Sequence, residues 1–164
     1  MKIYLVRHGH PNPADIDPAK GLSDDGKAEI NRLADTIKHL NINVAEILHS
    51  GKARAEQTAM ILSNVVRSER GVNVRNGISP NDPVKDIADE IIARDEDLML
   101  VGHLPFMGKL GSILMAGDDY RGLLEFSTGA MACLEYNKGK CRLNWFINPE
   151  IVIADPAGQF KSYH

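Results

Sequence analysis

The sequence predicts a three-layer α/β/α sandwich built on a mostly parallel sheet with an antiparallel edge. Short aliphatic and β-branched runs at residues 3–6, 45–48, 72–78 and 98–101 have strand length, and they alternate with segments whose apolar residues recur at helical spacing. Beyond Gly117 the alternation stops. Two strand-like patterns, 124–136 and 141–147, then follow one another across a short turn, the layout of an antiparallel hairpin at a sheet edge.

Each element has its own signal. Residues 3–6 are wholly apolar and run directly into Arg7-His8-Gly9. A polar loop follows, punctuated by Pro11, Pro13, Pro18 and Gly21. Ser23 is expected to cap a helix, with Asp24 and Asp25 in its first turn, where the helix dipole favours anions. Ile30, Leu33, Ala34, Ile37 and Leu40 form its predicted buried stripe. The second strand ends at His49-Ser50-Gly51, and Ala55, Ala59, Leu62 and Val66 share a face of the next helix. Residues 72–78 read as a third strand, interrupted by Asn76-Gly77, before a helix marked by Val84, Ile87, Ala88, Ile91 and Ile92. The fourth strand ends in Gly102-His103, and a helix bearing Phe106, Leu110, Ile113 and Leu114 begins past Pro105. In the hairpin, pairing Asn137 with Lys140 sets Cys133 opposite Asn144 and Cys141 opposite Tyr136, with the two thiols on opposite faces. Trp145 and Phe146 read as packing residues of the last strand. Residues 149–164 form a tail on what reads as a single domain spanning 1–164.

Composition bounds the function. A chain of 164 residues, 43% hydrophobic and 25% charged, can bury one core without staples. A net charge of -3 argues against a general nucleic-acid binder, because phosphate backbones attract basic surfaces. No apolar run reaches membrane-spanning length, and the amino terminus enters a strand pattern without a signal-peptide layout. Two cysteines make no disulfide framework and are expected to be reduced, so a cytoplasmic protein is expected.

In an open α/β sheet the carboxyl ends of the parallel strands meet at one rim, where ligands bind. That rule brings His8 and His103 together with Arg7 and with Arg54, which opens the helix after Ser50. Gly9 is expected to turn the chain sharply beside an approaching ligand. Arginine offers a planar fork of donors suited to phosphate oxygens. A histidine among such cations is held neutral and can attack phosphorus. Two readings of another class stay open on the residues alone. His8, His10, His49 and His103 are candidate metal ligands, although two guanidinium groups beside a dication are unfavourable. A phospho-binding module without turnover would need only the arginines.

The motifs Leu5-Val6-Arg7-His8-Gly9, Ser50-Gly51-Lys52-Ala53-Arg54-Ala55-Glu56-Gln57-Thr58 and Val101-Gly102-His103 resemble the histidine phosphatase (phosphoglycerate mutase-like) superfamily. Leu22-Ser23, His103-Leu104-Pro105 and Ser127-Thr128-Gly129-Ala130, in so short a chain, look most like its compact SixA-type branch of phosphohistidine phosphatases. The resemblance runs from Met1 to about Pro149. It implies the phosphoglycerate mutase-like fold, with His8 as the phosphorylated nucleophile and Arg7 and Arg54 clamping the phosphoryl oxygens. His103 would stabilise the transferring group, with Gly9, Ser50 and Thr128 at the substrate. It implies no metal or other cofactor. The partner would be a phosphohistidine-bearing protein, a phosphotransfer domain or a phosphocarrier, met by a monomer without nucleic acid or membrane.

Three departures from that family's pattern matter. Proline is common there where Gly51 stands, and a small or acidic residue where His10 stands. Larger relatives also carry an acidic segment that protonates the leaving oxygen, and it is missing here. Asp82, in a comparable region, reads as a turn residue. A phosphomonoesterase of the same superfamily is the alternative reading, and a mutase would need a reserved acid that the sequence lacks.

Overall fold

The computed structural model describes residues 1–120 and 122–149, together with the backbone of two short strands beyond them. In chain order the elements are β1 (Lys2–Arg7), α1 (Asp24–Ile37) continued by a 3-10 turn (Lys38–Leu40), β2 (Asn43–Val44), β3 (Glu46–His49) and α2 (Ala53–Leu62). They continue through β4 (Arg67–Ser68), β5 (Val72–Val74), α3 (Lys85–Arg94), β6 (Leu98–Gly102) and α4 (Phe106–Ala116). The chain then forms β7 (Met131–Asn137), β8 (Lys140–Ile147), β9 (Val152–Ala154) and β10 (Phe160–Ser162).

Six strands make the central sheet in the order β5-β3-β6-β1-β7-β8. The first four run parallel, and β7 and β8 close one side antiparallel. The predicted mixed sheet is therefore the observed one. Alternation along each strand builds two cores. Ile3, Leu5, Leu98, Leu100, Ala132 and Leu134 face one side and pack on α3 and α4 through Ile87, Ile91, Phe106 and Leu110. Tyr4, Val6, Met99, Val101, Met131 and Cys133 face the other and meet α1 and α2 through Ile30, Leu33, Ala55 and Leu62. The two-residue period of a strand is what separates these sets. Trp145 stacks at an angle on Tyr4, and Phe146 meets Phe126 edge-on, so both are packing residues as expected.

Several predicted boundaries move. Ser23 does cap α1, accepting the Gly26 N–H at 3.0 Å, but the helix ends at Ile37, and Leu40 lies exposed in the 3-10 turn. Val66 is buried but lies beyond α2, because the chain turns after Leu62 to form β4 beside β2. The third strand covers only Val72–Val74, since Asn76-Gly77 turns the backbone, with Gly77 at φ 85°. Residues 124–130 are not strand: Leu124 lies against Gly108 and Gly111 of α4, and Gly129, at φ 72°, turns the chain into β7. In the hairpin Tyr136 pairs with Cys141 as expected, but a bulge between Cys133 and Leu134 shifts Cys133 from Asn144 to Trp145. The thiols still serve opposite cores, and both are free. Within the 149–164 tail, β9 and β10 pair antiparallel as a separate two-stranded sheet; the rest of it from Glu150 lies outside the described residues.

Candidate active site

Strand register assembles the site. Arg7 is the partner of Gly102 across β1 and β6, and His49 is the partner of Val101 across β3 and β6. His8 and His103 therefore leave adjacent parallel strands at the same level, and Ser50 leaves the third strand alongside them. The two imidazole rings sit 4.9 Å apart, close to the roughly 4.8 Å between neighbouring strands.

His8 is buried, with Nδ1 2.7 Å from the carbonyl oxygen of Gly9. A carbonyl only accepts, so Nδ1 carries the ring hydrogen and Nε2 keeps its lone pair. Arg54 Nε donates to that Nε2 at 3.3 Å. Burial first, then the charges of Arg54 and Arg7, push the His8 pKa down to about 4 against the opposing pull of the Gly9 contact. His103, 1% exposed, is pushed down to about 3 by burial and by neighbouring His8, Arg54, Lys52 and Arg7. Both rings are neutral at pH 7.

Arg7 Nη1 donates to the Phe126 carbonyl at 2.8 Å, while its Nε is buried without a hydrogen-bond partner among the described residues. Burial lowers its pKa and the Glu29 carboxylate partly restores it. An open polar cleft of about 600 Å³ adjoins this guanidinium, bounded by Leu104, Glu125, Phe126 and Thr128. A neutral ring with a free lone pair, a second neutral ring and two guanidinium groups can together accept a phosphoryl group and offset its charge.

Other expected residues have different surroundings. Gly9 is buried, and a Cβ there would lie 2.8 Å from Ile30 and 3.0 Å from the Gly26 carbonyl. The missing side chain thus lets α1 approach, and the contribution of Gly9 to the site is its backbone. Ser50 Oγ lies 2.6 Å from His103 Nε2. Thr128 donates its hydroxyl to Glu29 at 3.4 Å, so it supports the wall behind Arg7. Gly51 adopts φ 86°, which the fixed ring of proline excludes, and its N–H donates to His49 Nδ1 at 3.1 Å. His49 accordingly orders the loop before α2. His10 is exposed beside Ser23, at 3.3 Å. Asp82 accepts the Ser79 N–H at 2.8 Å and closes a turn. Among the described residues no three His, Cys, Asp or Glu side chains are grouped to hold a metal ion.

Thr58 was not singled out in the sequence, yet it ties the site together. Fully buried, its hydroxyl accepts the Gly9 N–H at 3.1 Å and donates to the Arg54 carbonyl at 2.7 Å. It fixes the His8-Gly9 loop to the helix that carries Arg54. The available signal was a hydroxyl four residues after Arg54, on the face of α2 shared with Ala55, Ala59 and Leu62.

Similarity to known proteins supports a phosphatase, a hydrolase. The family model of the histidine phosphatase superfamily (branch 1) matches residues 3–77. Phosphohistidine phosphatase SixA of Escherichia coli (strain K12) is 24% identical over 155 residues, covering 91% of this chain and 94% of that protein. The structure of the protein histidine phosphatase SixA complexed with tungstate superposes with a TM-score of 0.80 at 24% identity, over 91% of this chain and 97% of the other. A mutant phosphoserine phosphatase from Entamoeba histolytica, in complex with phosphoserine, superposes with a TM-score of 0.68 at 14% identity, over 91% and 98%. The matching family model spans somewhat less than half of the chain, and the similarities along the rest are consistent with the compact SixA-type branch of that superfamily.

Proposed function

We propose that this protein is a phosphohistidine phosphatase that removes phosphate from a phosphohistidine-bearing protein through a covalent phospho-His8 intermediate. The carrying observation is the pairing of His8 Nδ1 with the Gly9 carbonyl, which leaves Nε2 unprotonated and facing Arg54. In the first step Nε2 attacks phosphorus, the substrate's N–P bond breaks, and the departing imidazole takes a proton from solvent. In the second, water attacks phospho-His8, loses a proton to solvent and releases phosphate, and the His8 ring is restored. Arg7 and Arg54 hold the phosphoryl oxygens in both steps, and His103 supports them from beside His8. No step draws on a metal.

The substrate class follows from the leaving group. An alkoxide needs a proton delivered by a positioned acid, a contribution of roughly 10²–10⁴ in rate. Asp82, the acid considered from the sequence, is engaged in its own turn. Imidazole leaves without such help. The open cleft beside Arg7 also suits a residue presented on a protein surface better than an enclosed metabolite. The natural substrate is thus a phosphotransfer domain or phosphocarrier, met in the cytoplasm by a monomer whose residues 1–164 act as one domain.

Released phosphate measured across phosphohistidine proteins, aryl phosphates and alkyl phosphates tests this reading. Phosphohistidine proteins should be turned over best and phosphoserine least, with little change in Asp82→Asn. Preference for alkyl phosphates, lost in Asp82→Asn, would replace it with a phosphomonoesterase.

A further inference from the structure

The Ser50 hydroxyl oxygen lies 2.6 Å from His103 Nε2, and the Lys52 backbone N–H points at the same oxygen from 3.4 Å. The other ring nitrogen, Nδ1, is buried with no hydrogen-bond partner among the described residues. A group that solvent cannot reach is closed to a phosphoryl oxygen as well. Nε2, on the edge shared with Ser50, is therefore the ring nitrogen that can meet substrate.

Phosphoryl oxygens of an ionised phosphate accept hydrogen bonds, so Nε2 assists them only when it carries hydrogen. A neutral imidazole has one ring hydrogen and two nitrogens to put it on. Burial and the surrounding cations keep His103 neutral, so the ring cannot protonate both. In the opposite tautomer the hydrogen would sit on Nδ1, a stranded N–H inside the protein, and buried N–H groups without acceptors are rare.

We propose that Ser50 is a positioning residue whose oxygen accepts from His103 Nε2–H and so holds the neutral ring in the one tautomer able to donate to the transferring phosphoryl group. The serine expected at the substrate then acts through His103. Its effect on turnover rests on the phosphohistidine reading above, whereas the tautomer is a property of the free protein.

Nitrogen-15 NMR of the imidazole rings without substrate tests the tautomer. In the wild type, His103 Nε2 should show the shift of a protonated ring nitrogen and Nδ1 that of a bare one. Ser50→Ala should move both part of the way toward the average of two tautomers, because the buried Nδ1 still disfavours its own hydrogen, and Ser50→Thr should keep the wild-type pattern. In turnover of a phosphohistidine protein, Ser50→Ala should lose about tenfold in kcat, the worth of one ordinary hydrogen bond, with KM little changed. The same change in a His103→Ala background should cost nothing further. Protonated Nδ1 in the wild type, ring shifts unmoved in Ser50→Ala, or losses that multiply with His103→Ala would each overturn the proposal. Should Ser50→Ala fail to fold, the wild-type and Ser50→Thr spectra still decide. Failure of the substrate reading would leave the ring-nitrogen result standing, and failure of the tautomer would leave the phosphatase reading standing.

Discussion

Arginines at the two ends of the sheet are used in opposite ways. At the amino end of β3, Glu46 meets Arg94 at 2.7 Å, and Glu96 meets Arg70 at 2.6 Å and Arg94 at 3.2 Å. These guanidinium groups have carboxylates as partners. At the carboxyl end, Arg54 Nε addresses a neutral imidazole and Arg7 Nη1 a backbone carbonyl. A guanidinium committed to a carboxylate has its charge balanced and its fork filled. One held by neutral acceptors keeps its fork open to an arriving anion, even where, as at Arg7, the Glu29 carboxylate lies near. The same residue type thus serves stability at one pole and, in the proposed function, phosphoryl recognition at the other, and the partner decides which.

The largest effect expected from this contrast is at Arg54. Arg54→Ala should lower kcat/KM by about 10²–10³-fold, the usual loss on removing one donor to a developing oxyanion. Arg54→Lys should regain only part, because a point charge lacks the fork. Full recovery by lysine would mean that charge alone, and not geometry, is what this position supplies.

The cations at the catalytic end also set a titration. NMR titration of the rings should give midpoints well below 6.5, near about 4 for His8 and about 3 for His103. The sign for stability follows from the unfolded chain, whose histidines bind protons below about 6.5 while the folded rings do not. Stability should therefore fall as pH drops from about 6.5 toward 4, and unfolding measured across that window should show a smaller slope in His103→Ala. Ring midpoints near 6.5 would mean that the site is wetter and less positive than its geometry indicates.

How much of this was legible in the sequence depended on the range of the interaction. The parallel sheet, its antiparallel edge and the gathering of Arg7, His8, Arg54 and His103 at one rim followed from local periodicity and one topological rule. The 4.9 Å separation of the imidazoles did not, because it depends on Arg7 pairing with Gly102, a register that no single segment encodes. Gly9 was read as room for a ligand, since nothing in its own segment reveals that Ile30 of α1 fills the space. The bulge at Cys133 escaped for the same reason: turn chemistry sets the register near Asn137 but not beyond an inserted residue. Residues 124–130 looked like strand because Leu124, Glu125, Phe126 and Ser127 alternate apolar with polar, and nothing in the segment reveals that Gly129 turns the chain at φ 72°.

The smallest expected effect lies at the ion-paired pole. Arg94→Ala should lower stability by about 1 kcal/mol, as for a partly exposed pair, and leave kcat within about twofold. Chemical denaturation and a turnover assay on the same preparation would show both. A large loss of activity there would mean that the two ends of the sheet are coupled.

The most direct test of the central claim is to trap the phosphoenzyme. Protein mixed with a phosphate-labelled phosphohistidine domain, quenched in alkali and mapped by peptide, should carry an acid-labile, alkali-stable label on His8. His8→Ala should fold, carry no label and lose turnover. Label on any other residue, or near-normal turnover in His8→Ala, would contradict the account.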